Sequence, residues 1–168
     1  TECVNLGRIS DGKYTGGIVG YGTTTGNASQ LVTISKCINI GELTPTSNDS
    51  GVFVSGILGC SDFSGTTSKI ENCLNKGNIM FCNGSHNYQG ISFVASDTAK
   101  TQINNSLNVG SVNNIRGANL IAYNAEITRS YFDITVNDPM STEENAKTTE
   151  QIVKGEGFKD IYTGWVFS

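Results

Sequence analysis

The residues of this chain with the widest range of chemistry are its thiols and its single imidazole. The thiols are Cys3, Cys37, Cys60, Cys73 and Cys82, and the imidazole is His86. A histidine-activated thiol is a nucleophile, and Cys/His clusters hold zinc. The sequence lacks the closely spaced Cys-x-x-Cys pair of zinc sites. His86 lies in the stretch Asn83-Gly84-Ser85-His86-Asn87-Tyr88, which is typical of an exposed loop. The pattern therefore favours neither catalysis nor metal binding.

Paired carboxylates are the second candidate chemistry, because glycosidic-bond cleavage uses two acidic side chains. Asp62 and Asp97 fall in matching positions, 25 and 24 residues after Cys37 and Cys73. Such a pair on neighbouring units could bind a cation or a sugar, but we interpret the match as coincidence. The other acidic residues follow no common offset, and no Asp-x-Asp calcium loop occurs. We predict no enzymatic activity and no cofactor.

The cysteines belong to a repeated pattern. Cys3-Val4-Asn5-Leu6-Gly7 returns as Cys37-Ile38-Asn39-Ile40-Gly41 and as Cys73-Leu74-Asn75-Lys76-Gly77, with a weaker copy at Ser106-Leu107-Asn108-Val109-Gly110. The copies start 34, 36 and 33 residues apart. A last copy begins at Ser130-Tyr131-Phe132-Asp133, where we expect Asp133 in the Asn position. A near-constant interval predicts a repeat architecture in which neighbouring units stabilise one another.

Composition and periodicity predict an all-β fold. The chain has 20 Gly and 2 Pro, and short β-prone runs alternate with Gly, Asn, Ser and Thr clusters. We predict a parallel β-helix or β-solenoid of about 4–5 coils of 33–36 residues. Each coil has three strands, placed in the second unit at Ile34 to Asn39, near Leu43, and around the triplet Gly56-Ile57-Leu58-Gly59. The inserts between strands are expected to be polar loops.

Strand alternation predicts what the repeat does inside such a coil. Residues two apart face the same way, so the Cys and Asn of each copy point inward together. We expect a stacked structural ladder and, two residues after each Asn, a corner glycine with positive φ. The ladder residues are Cys3, Cys37, Cys73, Ser106, Asn5, Asn39, Asn75 and Asn108, and the corner glycines are Gly7, Gly41, Gly77 and Gly110. Buried thiols are the favoured interpretation, and a disulfide such as Cys60 with Cys82 is the alternative.

The repeats span residues 1–136, and residues 137–168 have a different character. Residues 137–147 read as a polar excursion, and Thr148 with Gln151 predicts the start of a short helix that ends near Gly155. Apolar residues beyond it would fold back as a cap on the last coil, namely Phe158, Ile161, Trp165 and Phe167. The chain begins two residues before a copy of the pattern, and we interpret it as part of something longer.

The net charge and the hydropathy of the sequence argue against two classes of partner, nucleic acids and membranes. The formal net charge is −4, with no basic stripe, which argues against nucleic acid, and no apolar run is long enough to insert in a membrane. Aromatic and acidic residues near the loops are candidate ligand-facing residues, although the aromatics could instead pack loops onto the coil. They are Tyr14, Tyr21, Asp62, Phe63, Tyr88 and Asp97.

The glycine-bounded triplets and the Cys-x-Asn-x-Gly pattern together resemble the GLUG-type repeats of bacterial surface and secreted proteins. The ending is similar too, with Ser130-Tyr131-Phe132-Asp133, then Thr148-Thr149-Glu150-Gln151, then Gly164-Trp165-Val166-Phe167. The resemblance implies a right-handed β-solenoid on an extracellular or cell-surface protein.

Three functions follow from this resemblance and from the repeat. The first is a non-enzymatic structural or adhesive module, a rigid stalk or platform that binds a protein or glycan surface. The second is a subunit that binds copies of itself through its ends to form a filament or sheath. The third is an accessory domain of a carbohydrate-active enzyme or peptidase.

Overall fold

The computed structural model describes residues 1–10, 12–23, 31–46, 51–62, 67–80, 86–95, 100–112, 120–137 and 145–154. Within these ranges the chain is all-β apart from one short helix. The strands of the first two repeats are β1 (Val4–Asn5), β2 (Ile9–Ser10), β3 (Tyr14–Gly16), β4 (Val19–Thr23), β5 (Val32–Ser35), β6 (Ile38–Asn39), β7 (Leu43–Thr44), β8 (Val52–Ser55) and β9 (Leu58–Asp62). The later elements are β10 (Thr67–Glu71), β11 (Leu74–Asn75), β12 (His86–Gln89), β13 (Ser92–Val94), β14 (Lys100–Asn104), β15 (Leu107–Asn108), β16 (Ala122–Tyr123), β17 (Glu126–Thr128), β18 (Tyr131–Asp133), β19 (Ala146–Lys147) and α1 (Thr149–Lys154).

Equivalent strands of successive repeats pair in parallel. The longest sheet runs β1-β6-β11-β15-β18-β19 and contains every copy of the repeated pattern. The other sheets run β17-β14-β10-β5, β12-β8-β3, β16-β13-β9-β4 and β2-β7. The register joins matching positions, so Ile70 pairs with Ile34 on one side and with Ile103 on the other. The prediction of an all-β chain with parallel strands is confirmed, and the arrangement is consistent with a β-helix.

The strands within each repeat are shorter and more numerous than the sequence predicts. The segment from Ile34 to Asn39 is divided into β5 and β6, with a break at Lys36, where φ is +54°. The triplet Gly56-Ile57-Leu58-Gly59 is not the centre of a strand, because β8 ends at Ser55 and β9 begins at Leu58. The glycine that opens the triplet therefore lies at a corner between two sheets.

Aliphatic side chains at matching positions form one continuous core. Ile34, Ile70 and Ile103 lie in it, as do Leu43 and Ile79, all of them buried. Each of these residues stacks on its counterpart in the next repeat.

Helix α1 packs on one face of the longest sheet. Thr148 and Gln151 form the predicted capping box: the Gln151 amide donates to Thr148 Oγ1 at 3.1 Å, and the Thr148 amide donates to Gln151 Oε1 at 2.9 Å. Ile152 is buried against Leu107, with Leu74, Val109 and Tyr131 around the contact. The predicted capping residues Phe158, Ile161, Trp165 and Phe167 lie outside the described residues.

Candidate functional site

The asparagines of the repeated pattern form a row of hydrogen-bonded amides along the longest sheet. Asn5 Nδ2 donates to Asn39 Oδ1 at 2.8 Å, Asn39 Nδ2 to Asn75 Oδ1 at 2.8 Å, and Asn75 Nδ2 to Asn108 Oδ1 at 2.7 Å. Asn39 and Asn75 each use the same nitrogen to donate to the carbonyl oxygen of the glycine two residues on. Since Asn39, Asn75 and Asn108 are fully buried, these bonds satisfy amides that would otherwise be costly to bury.

The row has a direction, and its last amide is that of Asn108. Asn108 Nδ2 donates to the carbonyl oxygen of Leu120 at 3.2 Å rather than to another amide. In the next copy Phe132 pairs with Asn108, so the expectation that Asp133 takes the Asn position is wrong by one residue. Asp133 instead accepts from the Thr135 amide at 2.8 Å and from Thr149 Oγ1 at 2.6 Å. The carboxylate therefore tethers the start of α1.

A buried asparagine replaces the pattern's glycine contacts at this end. Asn137, placed by the sequence in a polar excursion, is buried and donates to the Gly110 carbonyl oxygen at 3.3 Å. Its Oδ1 accepts from the Val112 amide at 2.8 Å. The excursion therefore begins inside the structure, because the last copy leaves backbone groups that only a polar side chain can satisfy.

The corner glycines are required by close packing and not by positive φ. In the described residues the glycines with positive φ are Gly12 and Gly51, so that expectation for Gly7, Gly41, Gly77 and Gly110 is wrong. A methyl group at Gly41 would overlap the Gly7 carbonyl oxygen and would lie 2.7 Å from Asn5 Nδ2. Gly77 and Gly110 face the preceding glycine carbonyl in the same way.

The first glycine of each triplet lies against an asparagine of the amide row and leaves space for its side chain. A methyl group at Gly56 would lie 2.6 Å from Asn75 Cβ and would overlap the Gly90 carbonyl oxygen. Gly17 meets Asn39 in the same way, and Gly90 meets Asn108. Asparagine and glycine thus fit one another across the interior, which explains why both recur with one period.

Positive φ occurs at the residue immediately before each Cys or Ser of the pattern. Its values are +59° at Glu2, +54° at Lys36, +55° at Asn72, +47° at Asn105 and +47° at Arg129. Sequence reasoning missed this position. The signal was Asn at 72 and 105, since Asn tolerates the left-handed region, but charged residues at the other copies obscured it.

The thiols form a second row beside the amides. Cys37 and Cys73 are buried, their Sγ atoms lie 3.2 Å and 3.3 Å from the carbonyl oxygens of Ser35 and Glu71, and Cys3 is exposed at the outer end of the row. A hydrogen bond with the Cys37 thiol, and then burial, raise the pKa of Cys73 well above its ordinary value of 9.0. Ser106 and Ser130 continue the row: Ser106 Oγ accepts from the Cys73 amide, and Ser130 Oγ from the Ser106 amide. Cys82 lies outside the described residues, so its pairing with Cys60 stays untested.

Aromatic rings form a row on the flank of the molecule. Ring centroids are 4.6 Å apart for Tyr21 and Tyr14, 5.6 Å for Tyr14 and Phe53, 4.5 Å for Phe53 and Phe93, and 5.2 Å for Phe93 and Tyr123. We call these five residues the aromatic row. Its two ends are exposed, with 41% of Tyr21 and 48% of Tyr123 accessible. Lys13 Nζ lies 5.7 Å from the centroid of the Tyr14 ring.

The predicted ligand-facing residues are therefore brought together only in part. Tyr14 and Tyr21 stack on each other, whereas Tyr88 is buried, so its assignment to a ligand-facing surface is wrong. Tyr88 lies in β12, whose register with β8 turns this ring into the core. The side chain of Asp62, and Phe63 and Asp97 altogether, lie outside what the structure describes. His86 belongs to β12 and not to a loop.

Phe53, Phe93 and Tyr123 are the aromatic residues that sequence reasoning missed. Phe53 pairs in parallel with Tyr14, and Phe93 with Tyr123. Between Phe53 and Phe93 the row passes from the sheet of β8 to the sheet of β13, so the spacing from Tyr14 is irregular. The part of the chain that the structure describes contains no group of three or more Cys, His, Asp or Glu side chains placed to hold a metal ion. The same residues include no helix long and apolar enough to span a membrane.

Comparison with models of known protein families, with curated proteins and with solved structures finds no match to this chain. The rows of amides, thiols and aromatic rings therefore have to be interpreted from their own geometry.

Proposed function

We propose that this chain is a non-enzymatic β-solenoid module of the GLUG-type, belonging to an extracellular or cell-surface protein, and that it serves as a rigid platform for a protein or glycan. The observation that carries the proposal is the buried amide row, in which Asn5, Asn39 and Asn75 each bond to the asparagine of the next repeat. Polar groups that could do chemistry are instead used to stack one repeat on another. A right-handed coil with a C-terminal cap completes the proposed architecture.

The aromatic row is the proposed contact surface. Of its inner rings, Phe93 is buried and Tyr14 and Phe53 are half-buried, whereas Tyr21 and Tyr123 expose more than two fifths of their surface. Tyrosine gives a large contact area with a polar tip and a small loss of conformational entropy, which suits both protein and sugar surfaces. Because the rings brace one another, a partner would bind a surface that is already ordered.

Binding assays on glycan and surface-protein arrays test this function. We expect a partner whose binding falls at least tenfold in Tyr21→Ala and Tyr123→Ala. Leu31→Ala is the matched control, since Leu31 is 60% exposed and lies outside the aromatic row. Binding that the tyrosine variants leave unchanged would remove the platform role, and sugar release in a reducing-end assay would contradict the non-enzymatic assignment.

Assembly of copies through the ends is the second candidate, and the geometry of the amide row favours it less. End-to-end stacking would need an asparagine donor in the last copy of the pattern and an acceptor on the next chain, but Phe132 lies at the Asn position of that last copy. Size-exclusion chromatography with electron microscopy separates the two functions, because fibres would support assembly and a monomer would support the platform.

A further inference from the structure

The outer edge of the first repeat carries the same recognition groups as the junctions between repeats. At each junction the incoming repeat contributes three features to its neighbour: an amide donor from Asn, a backbone carbonyl that accepts from the corner glycine, and a glycine carbonyl that fills the space beside the next corner glycine. The first repeat has the receiving half of all three, at Asn5 and Gly7.

The amide acceptor is the first feature. Asn39, Asn75 and Asn108 each accept the Nδ2 of the preceding asparagine on Oδ1. Within the described residues, the donor to Asn5 Oδ1 is the amide of Gly7, at 3.1 Å. Asn5 is thus the acceptor end of a row whose last amide, Asn108, donates to a backbone carbonyl.

The backbone amide of the corner glycine is the second feature. The amides of Gly41, Gly77 and Gly110 donate to the main-chain oxygens of Asn5, Asn39 and Asn75 in the preceding repeat, at 3.1–3.2 Å. The Gly7 amide donates to its own repeat's Asn5 side chain instead. Two groups that elsewhere bind a preceding repeat are therefore bonded to each other.

The space beside Gly7 is the third feature. A methyl group at Gly41, Gly77 or Gly110 would overlap a glycine carbonyl, whereas at Gly7 the nearest atom would be Asn5 Oδ1 at 3.8 Å. The φ of Gly7 is not positive. Nothing in the described structure requires glycine at position 7, yet a preceding repeat stacked with the same geometry would.

We propose that this edge binds a further repeat of the Cys-x-Asn-x-Gly type, in parallel and in register, whose Asn Nδ2 donates to Asn5 Oδ1. The inference rests on the solenoid proposed above. A second copy of the chain fits less well, because its last copy of the pattern presents Phe132 where an asparagine is needed. The edge strands β1 and β3 also offer backbone groups for parallel pairing.

The test appends a copy of residues 1–34 ahead of Thr1, which keeps the 34-residue spacing between Cys3 and Cys37. Urea unfolding of the extended chain should show a higher midpoint and an m-value about 1.2-fold larger, because the m-value scales with the surface exposed on unfolding. The same extension in a Gly7→Ala background should lose both gains. Gly7→Ala alone should not lower the midpoint, since the new methyl group makes only an ordinary contact with Asn5 Oδ1 at 3.8 Å.

Hydrogen exchange gives a second readout that does not depend on the whole appended repeat folding cooperatively. Exchange of the backbone amide at position 7 should slow at least tenfold in the extended chain and stay fast in the extended Gly7→Ala background. Equal midpoints and equal exchange with and without the appended repeat would overturn the proposal. A concentration-dependent dimer of the original chain that Gly7→Ala abolishes would also overturn it, in favour of a second copy.

Gly77→Ala separates this inference from the proposed solenoid. Its methyl group would overlap the Gly41 carbonyl in the middle of the stack. A lowered midpoint in Gly77→Ala combined with no effect of the appended repeat would refute the edge proposal alone. An unchanged midpoint in Gly77→Ala would refute the stacked arrangement itself and, with it, both proposals.

Discussion

Left-handed backbone at charged residues is the clearest local strain in the described chain. Lys36 has φ of +54° at the break between β5 and β6, a conformation that costs a residue with a side chain about 1–2 kcal/mol. Its ion pair with Glu2, at 3.4 Å, is exposed and contributes little to stability. The repeat therefore keeps a sharp corner at this position even in copies where the residue does not favour positive φ.

Lys36→Asn is expected to stabilise the fold by about 0.5–1 kcal/mol, because Asn adopts the left-handed region more readily and occupies the same position at 72 and 105. Urea unfolding measures the change. Lys36→Gln is the control, since it removes the charge but keeps the strain, and it should stay within about 0.5 kcal/mol of the parent. A destabilised Lys36→Asn would show that the strain assigned to this corner is not real.

The buried thiol row predicts a loss of stability in alkali. The pKa of Cys73 is raised in the folded state, so the protonated thiol contributes fully below its unfolded value of 9.0 and the contribution is lost as the pH rises above that value. Unfolding curves between about pH 9 and pH 10.5 should show the parent losing up to about 1.4 kcal/mol per pH unit from this group.

Cys73→Ser should reduce that alkaline slope, because its hydroxyl does not ionise there and Ser already occupies the row at 106 and 130. Cys3→Ser is the matched control, since Cys3 is exposed and should keep the parental slope. Identical slopes for the parent and Cys73→Ser would show that this thiol does not govern the pH dependence.

At the scale of elements, helix α1 is held by one apolar contact and by polar ties at its start. Ile152 is buried on Leu107, and the Thr149 amide donates to Thr135 Oγ1 at 3.1 Å. A helix of six residues is too short to be stable alone, so its packing must supply the stability. The helix covers the outer face of the longest sheet where Leu107 would otherwise be exposed.

Ile152→Ala is expected to destabilise the protein by about 1–3 kcal/mol and to release the helix from the sheet, because the buried side chain loses most of its contacts. Hydrogen exchange across α1 and β15 measures the release. Val153→Ala on the same helix is the control, as Val153 is 62% exposed and should change stability by less than about 0.5 kcal/mol. Equal protection from hydrogen exchange in both variants would show that the Ile152 contact does not hold the helix on the sheet.

For the whole molecule, the cost of a substitution should depend on where its repeat lies in the stack. An inner asparagine bonds to a repeat on each side, whereas Asn5 bonds to one. Stability in stacked repeats is approximately a sum of unit and nearest-neighbour contributions, so loss of an inner contact weakens two junctions at once.

Asn75→Ala is expected to cost about 2–4 kcal/mol, since it leaves Asn39 Nδ2 and the Gly77 carbonyl oxygen with fewer partners in a dry interior and opens a cavity. Asn5→Ala, at the half-exposed end, should cost about 1 kcal/mol or less. Chemical denaturation of the two variants provides the comparison. Equal costs would contradict the dependence on position.

The sequence by itself determined the length of the repeat, the all-β class of the chain and the stacking of matching residues from one repeat to the next. A 33–36-residue interval and alternating side chains suffice to place Ile on Ile and Asn on Asn, because parallel pairing in register follows from repetition. The capping box of α1 was also predictable, since its two hydrogen bonds join residues three apart.

Only the tertiary structure decided what each glycine and each aromatic residue does. Gly41 looks like a turn residue in sequence, but a carbonyl from the preceding repeat makes it necessary, and that carbonyl lies 34 positions away. The aromatic row has no fixed period because its rings come from two different sheets, and Tyr88 is turned inward by the register of its strand. Contacts between repeats depend on which backbone faces which, and a linear pattern carries that information only where the spacing is strictly kept.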